Sequence, residues 1–100
     1  MGSGPRPKPH YLAEKLLQIR QSLGLSQNEM LERLGLAEEL VRSNISKYEL
    51  GTGEPPLPVL LQYARVANVY LEVIVDDELE LPFRLPSREK SLGIKRKKLN

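Results

Sequence analysis

The chain contains no cysteine and no tryptophan, only one histidine, and 5% aromatic residues in all. Without cysteine there is no disulfide, no thiolate nucleophile and no cysteine-held zinc, and a reducing compartment fits. The single histidine, His10, stands in a proline-rich stretch, and no phosphate-cradling glycine loop is present, so the groups that would assemble a catalytic centre are missing. The expectation is a protein that is not an enzyme and uses no cofactor or metal. No apolar run approaches the roughly 20 residues of a membrane span, and the first residues lack the apolar segment of a signal peptide. A cytoplasmic location with no membrane partner is therefore expected. A length of 100 residues with 40% apolar content suits one small domain with one core.

Charge is abundant but unevenly placed. Residues 1–69 hold eight Lys/Arg against seven Asp/Glu, residues 70–83 hold none against five, and residues 84–100 hold seven against one. Any attraction for a polyanion must therefore come from local patches, since the net charge is only +2. Residues 1–10 read as an appended Gly-Ser-Gly linker followed by an extended basic arm in which Pro5, Pro7 and Pro9 alternate with Arg6, Lys8 and His10. That arm is either an inert leader or a phosphate or minor-groove contact.

Apolar residues Leu12, Leu16, Ile19 and Leu23 recur at helical spacing, which predicts a helix with Glu14, Lys15, Gln18 and Gln21 pointing out. Ser26-Gln27-Asn28-Glu29 carries a hydroxyl answered three residues later by a carboxylate, the signature of a capped helix start, and Met30, Leu31 and Leu34 follow on its inner face. That helix should stop at Gly35, and a second run from about Ala37 to Leu50 should stop at Gly51. Two short helices joined by a glycine-containing turn form a helix-turn-helix, whose second helix reads the DNA major groove.

The run LGLSQNEMLERLG, then ISKYELG, Pro55 and LPVLLQYARVANV resembles the Cro-like phage-repressor (Xre-type) helix-turn-helix family over roughly Leu12 to Val75. The resemblance implies an all-α, five-helix repressor-like DNA-binding domain at residues 11–81, a double-stranded DNA partner, and a homodimer on a palindromic operator. Anchored on Ile45, the family's recognition positions fall on Arg42, Ser43, Asn44 and Lys47, while Ile45 and Tyr48 face the core; Ser46 is expected as a further DNA contact. Gln27, following the helix cap, is a further DNA contact that the family implies. Arginine can bond both major-groove acceptors of guanine and asparagine both groups of adenine, so these side chains suit the task. One departure is visible: ten steps separate Gly35 from Ile45, about one helical turn more than the family's usual spacing. Either the turn or the start of the recognition helix carries the addition: Leu36-Ala37-Glu38-Glu39 are good helix formers that could lengthen the helix backwards, bringing two carboxylates to its N-terminus, where they would be tilted out of the groove or accept from cytosine amino groups.

Several assignments stay open. Arg20 is either a partner for Glu49 or Glu29 or a DNA contact. Thr52, with the amides of Gly51 and Gly53, could clasp a phosphate or merely turn the chain. Tyr70 to Val75 matches a short fifth helix by position but is β-branched like a strand, and its apolar residues suggest a dimer surface reaching to Leu81. Asp76 to Leu81 lacks the spacing of a calcium loop and reads as a solvated acidic linker. Residues 82–100 read as a flexible basic tail adding salt-dependent affinity for DNA. The alternative function is an antitoxin that binds both DNA and a partner protein through the segment after Tyr70.

Overall fold

The computed structural model describes residues 8–97, so the linker and the first part of the proline-rich arm lie outside the described residues. Five helices, α1 (Leu12–Leu23), α2 (Gln27–Leu34), α3 (Arg42–Leu50), α4 (Leu57–Ala67) and α5 (Leu71–Val75), enclose one core, and a two-residue pair of strands, β1 (Leu79–Glu80) and β2 (Ile94–Lys95), is added at one side. The all-α, five-helix expectation holds. Leu16, Ile19, Met30, Ile45, Tyr63, Val73 and Ile74 are fully buried at the centre, each aliphatic side chain worth roughly 1.5–3 kcal/mol of removal from water. α1 packs against α3, α4 and α5, and α2 against α3 and α4, so α3 is held from two sides while its outer face stays open.

The local signals act as expected at the helix ends. The Ser26 hydroxyl accepts from Glu29 N–H at 3.0 Å and the Glu29 carboxylate accepts from Ser26 N–H at 2.8 Å, a complete reciprocal cap. Hydrogen bonding from the Ser26 backbone N–H first, and from the Ser26 side chain second, holds the Glu29 carboxyl below the usual carboxylate range. Gly35 takes the left-handed conformation at φ 73° and ends α2.

Four expectations are corrected. The recognition helix does not extend back to Ala37. Leu36 to Leu40 close a separate turn, in which Glu39 and Leu40 N–H both donate to Leu36 O, and Val41 is extended at φ −119°, ψ 167° before α3 begins at Arg42. Leu36 and Leu40 are both packed against the core, and pinning the two leucines inward is incompatible with a straight helix running into α3. Lys15 does not point out. It is 3% exposed, and its ammonium donates to Val73 O at 2.8 Å and Asp76 O at 2.9 Å, capping α5 from the side. Burial pulls its pKa below the ordinary lysine value, against the opposing pull of Asp77.

The acidic segment is not a solvated linker. Asp77 accepts from His10 N–H at 2.8 Å and from Tyr11 N–H at 3.1 Å, fastening the entry of α1 to the exit of α5. Nor does the chain after Leu81 run free. Through Lys97 it returns to the domain: Leu79 pairs with Lys95 and Glu80 with Ile94 in antiparallel register, and Val69 bridges Ser91. Arg96 lies 3.8 Å from the centre of the Tyr11 ring, donates to Asp77 O at 3.0 Å and stands 3.6 Å from the Glu80 carboxylate. Tyr70 to Val75 resolves as the short helix, with Val73 and Ile74 fully buried and Leu71 and Val75 half-buried within the same chain. Of the apolar surface expected to pair two copies, Val73 and Ile74 are thus taken up by the domain's own core, where α5 packs against α1, α4 and β1.

Burial raises the Asp77 pKa, but the two backbone donors outweigh it and the net position is below the ordinary 3.8. A depressed carboxylate stabilises the fold above its unfolded pKa, and the contribution is lost as pH falls through the lower folded value. The side-chain carboxyl carbon resonance of Asp77 is therefore expected to hold its position down to about pH 4 and to move only below it. Movement between pH 5 and 7 in an NMR titration would contradict this assignment.

Candidate nucleic-acid interface

α3 is built so that one side is core and the other is chemistry. Ile45 and Tyr48 are buried against the domain, while Arg42, Ser43 and Lys47 are exposed and Asn44 and Ser46 half-buried. The exposed run begins at the first residue of α3, at the positive end of the helix dipole. The N-terminus of α2, carrying Gln27, meets α3 at its last turn, at Glu49.

One carboxylate ties these elements together. Glu49, whose side chain is 4% exposed, takes a two-point hydrogen bond from Arg20, Nε to Oε2 at 2.7 Å and Nη2 to Oε1 at 2.9 Å. Arg20 also donates to Leu25 O at 2.9 Å, which fixes the loop leading into α2. Its pKa is raised, chiefly by the hydrogen bond to Glu49. The same Glu49 Oε1 accepts from Gln27 Nε2 at 3.1 Å, so the glutamine on α2 is oriented by a residue of α3. Of the two roles open for Arg20, the structure displays the partnership with Glu49. The link from Gln27 to Glu49 spans 22 positions, and no local pattern announces it.

An α-helix with polar side chains along one face, docked by a glutamine-bearing helix across a glycine-ended turn, is the arrangement of a DNA-reading helix pair. A family model described as helix-turn-helix matches residues 16–74, more than half of the chain. The chain belongs to the Cro-like, Xre-type helix-turn-helix family. No curated protein matches it. As a member of that family it is a DNA-binding transcription regulator, and α2 and α3 are its helix-turn-helix.

Within this Xre-type domain the expected contact residues differ in how freely they stand. Arg42, Ser43 and Lys47 are exposed. Asn44 has a structural duty as well: its Oδ1 accepts from Val41 N–H at 2.9 Å, closing the start of α3 from inside the helix. Asn44→Ala is therefore expected to cost roughly 0.5–2 kcal/mol of stability, the usual range for a lost cap, in addition to any effect on DNA. Thermal melts of the free protein check it, and an unchanged midpoint would show the cap to be idle. The loop after α3 spends its amides internally. Thr52 and Gly53 N–H donate to Lys47 O at 3.0 and 3.1 Å, and Gly51 N–H to Tyr48 O at 3.3 Å. Of the two roles open for the amides of Gly51 and Gly53, phosphate clasp or turn, the structure displays the turn: these donors terminate α3. The Thr52 hydroxyl, 3.5 Å from Lys47 O, is exposed at the same corner. Glu38 and Glu39 belong to the separate turn, so the two carboxylates do not occupy the first turn of α3.

Proposed function

We propose that the chain is a repressor that binds a palindromic operator as a homodimer, reading bases with Arg42, Ser43, Asn44 and Lys47 of α3 and touching phosphate with Gln27, Ser46 and Thr52. The observation that carries the reading is the exposed run of Arg42, Ser43 and Lys47 on α3, a helix whose last turn is tied to the α2 N-terminus by the Arg20–Glu49–Gln27 bonds. Rigid placement of a few donors is what base readout requires, since each two-point side-chain contact discriminates by about 1–3 kcal/mol only when its geometry is preset.

Selection of bound duplexes from a random pool tests this directly, and a two-fold symmetric consensus with half-sites about 10 base pairs apart is expected. Arg42→Ala should weaken binding to that consensus by roughly 1–3 kcal/mol with an unchanged melting midpoint. Wild-type affinity in this variant would place the recognition surface elsewhere. One helix specifies too few base pairs to single out a site in a genome, which is the reason for a dimer. Val73 and Ile74 are buried within their own chain, so the pairing surface has to lie outside them. Sedimentation of the complex should show two chains per duplex.

A further inference from the structure

Val41 is a residue whose placement the fold does not explain. It occupies the N-cap of α3, a position that favours Ser, Thr, Asp or Asn because a side-chain oxygen there can satisfy a free amide of the first turn, and valine is among the poorest choices. Nor does its side chain gain burial, being 62% exposed. The cap is restored from inside the helix instead, with Asn44 Oδ1 accepting from Val41 N–H at 2.9 Å and Asn44 N–H donating to Val41 O at 2.9 Å.

The consequence of this exchange is an aliphatic group held still in an exposed place. Two hydrogen bonds fix the Val41 backbone, Leu40 on one side is packed against the core, and a β-branched side chain has little freedom at χ1. The exposed Arg42 and Ser43 follow at once. A local rule broken without return to the fold points to a functional position.

We propose that Val41 reads the C5-methyl group of a pyrimidine in the major groove. The inference rests on the reading of α3 as the helix that enters that groove. Base edges there present hydrogen-bond donors and acceptors with one apolar exception, the C5-methyl group, and an aliphatic side chain is its matching contact. Thymine carries that methyl always, and cytosine carries it when methylated at C5.

The test scans the selected operator one pyrimidine at a time, replacing thymine by deoxyuridine and cytosine by 5-methylcytosine, with wild type and Val41→Ser titrated on each duplex. Serine is a favoured N-cap, so Val41→Ser should melt no lower than wild type. Wild type is expected to show a change of about fourfold at one position per half-site, the worth of one buried methyl group. Loss on deoxyuridine identifies thymine as the source, and gain on 5-methylcytosine identifies the modified base. In Val41→Ser the ratio should fall to about one. No methyl-sensitive position in wild type, or the same ratio in Val41→Ser, overturns the inference. If the scan is flat while Arg42→Ala still loses operator preference, the groove reading stands and this inference alone falls. If Arg42→Ala binds as wild type does, both fall.

Discussion

Gly93→Ala is expected to lower the stability of the domain by about 2–4 kcal/mol, even though the residue sits 18 positions beyond the last helix, in a stretch dense in lysine and arginine. Two terms combine. Gly93 has φ 79°, a conformation that costs any residue with a Cβ, and the new methyl would stand 2.7 Å from Glu80 O and 3.0 Å from the Val73 Cγ1 methyl. The first neighbour is backbone and the second a fully buried core side chain, so neither can yield cheaply. For a domain of this size the melting midpoint should fall by roughly 10–25 °C. Gly24→Ala is the matched control, because Gly24 has φ 69° but nothing within 4 Å of its added methyl. It should lose only about 1 kcal/mol. Equal midpoints for the two variants would mean that the C-terminal segment does not hold the core. Deleting residues 87–100 would likewise remove Gly93 and Arg96 from their packing, and so would report on the fold as well as on the charge of the tail.

Glu49→Ala should cost a similar amount, about 2–4 kcal/mol, because it strands the Arg20 guanidinium and releases Gln27. Removing one partner of a buried pair is worse than removing both, since the remaining charge keeps its desolvation penalty. The figure is set below the range for fully buried pairs because the Arg20 side chain remains 18% exposed and still donates to Leu25 O. Replacing both residues, Arg20→Met with Glu49→Met, should recover most of the stability while operator affinity stays reduced, as Gln27 is no longer oriented. Urea titrations separate these outcomes. A Glu49→Ala protein with a wild-type midpoint would reduce the pair to an ordinary surface ion pair.

What could be read from the residues was what local chemistry decides. The Ser26–Glu29 exchange and the glycine stops at Gly35 and Gly51 need only near neighbours, and each is where the spacing puts it. The inward placement of Ile45 and Tyr48 also followed once the motif was aligned. The start of α3 was misread because helix propensity at Leu36 to Glu39 is outweighed by the burial of Leu36 and Leu40. Helical periodicity sent Lys15 outward, since a charged residue is normally solvated, but two carbonyls of a helix 58 and 61 positions away receive it. The β-branched run at Val73 to Val75 is a helix because the core accepts Val73 and Ile74 together, a tertiary preference stronger than the intrinsic one. Composition hid the C-terminal clasp altogether, for a lysine-rich segment looks solvated until Gly93 and Arg96 find Val73, Tyr11 and Asp77.

The bond from Gln27 to Glu49 bears on the entropy of recognition. A free glutamine side chain gives up roughly 1.5–2 kcal/mol of rotameric freedom when it is immobilised. Here that loss is incurred during folding, before any DNA arrives. The carboxylate also decides which way the amide faces: nitrogen toward Glu49, carbonyl oxygen away from it. One N–H and the oxygen remain unspent on Glu49, a donor and an acceptor side by side. That is the complement of the N7 and N6 edge of adenine, and it equally suits a phosphate oxygen met through the N–H alone. If Gln27 meets DNA as proposed, binding selects a side chain already in place, and complex formation should show a smaller ordering cost than the number of polar contacts would suggest.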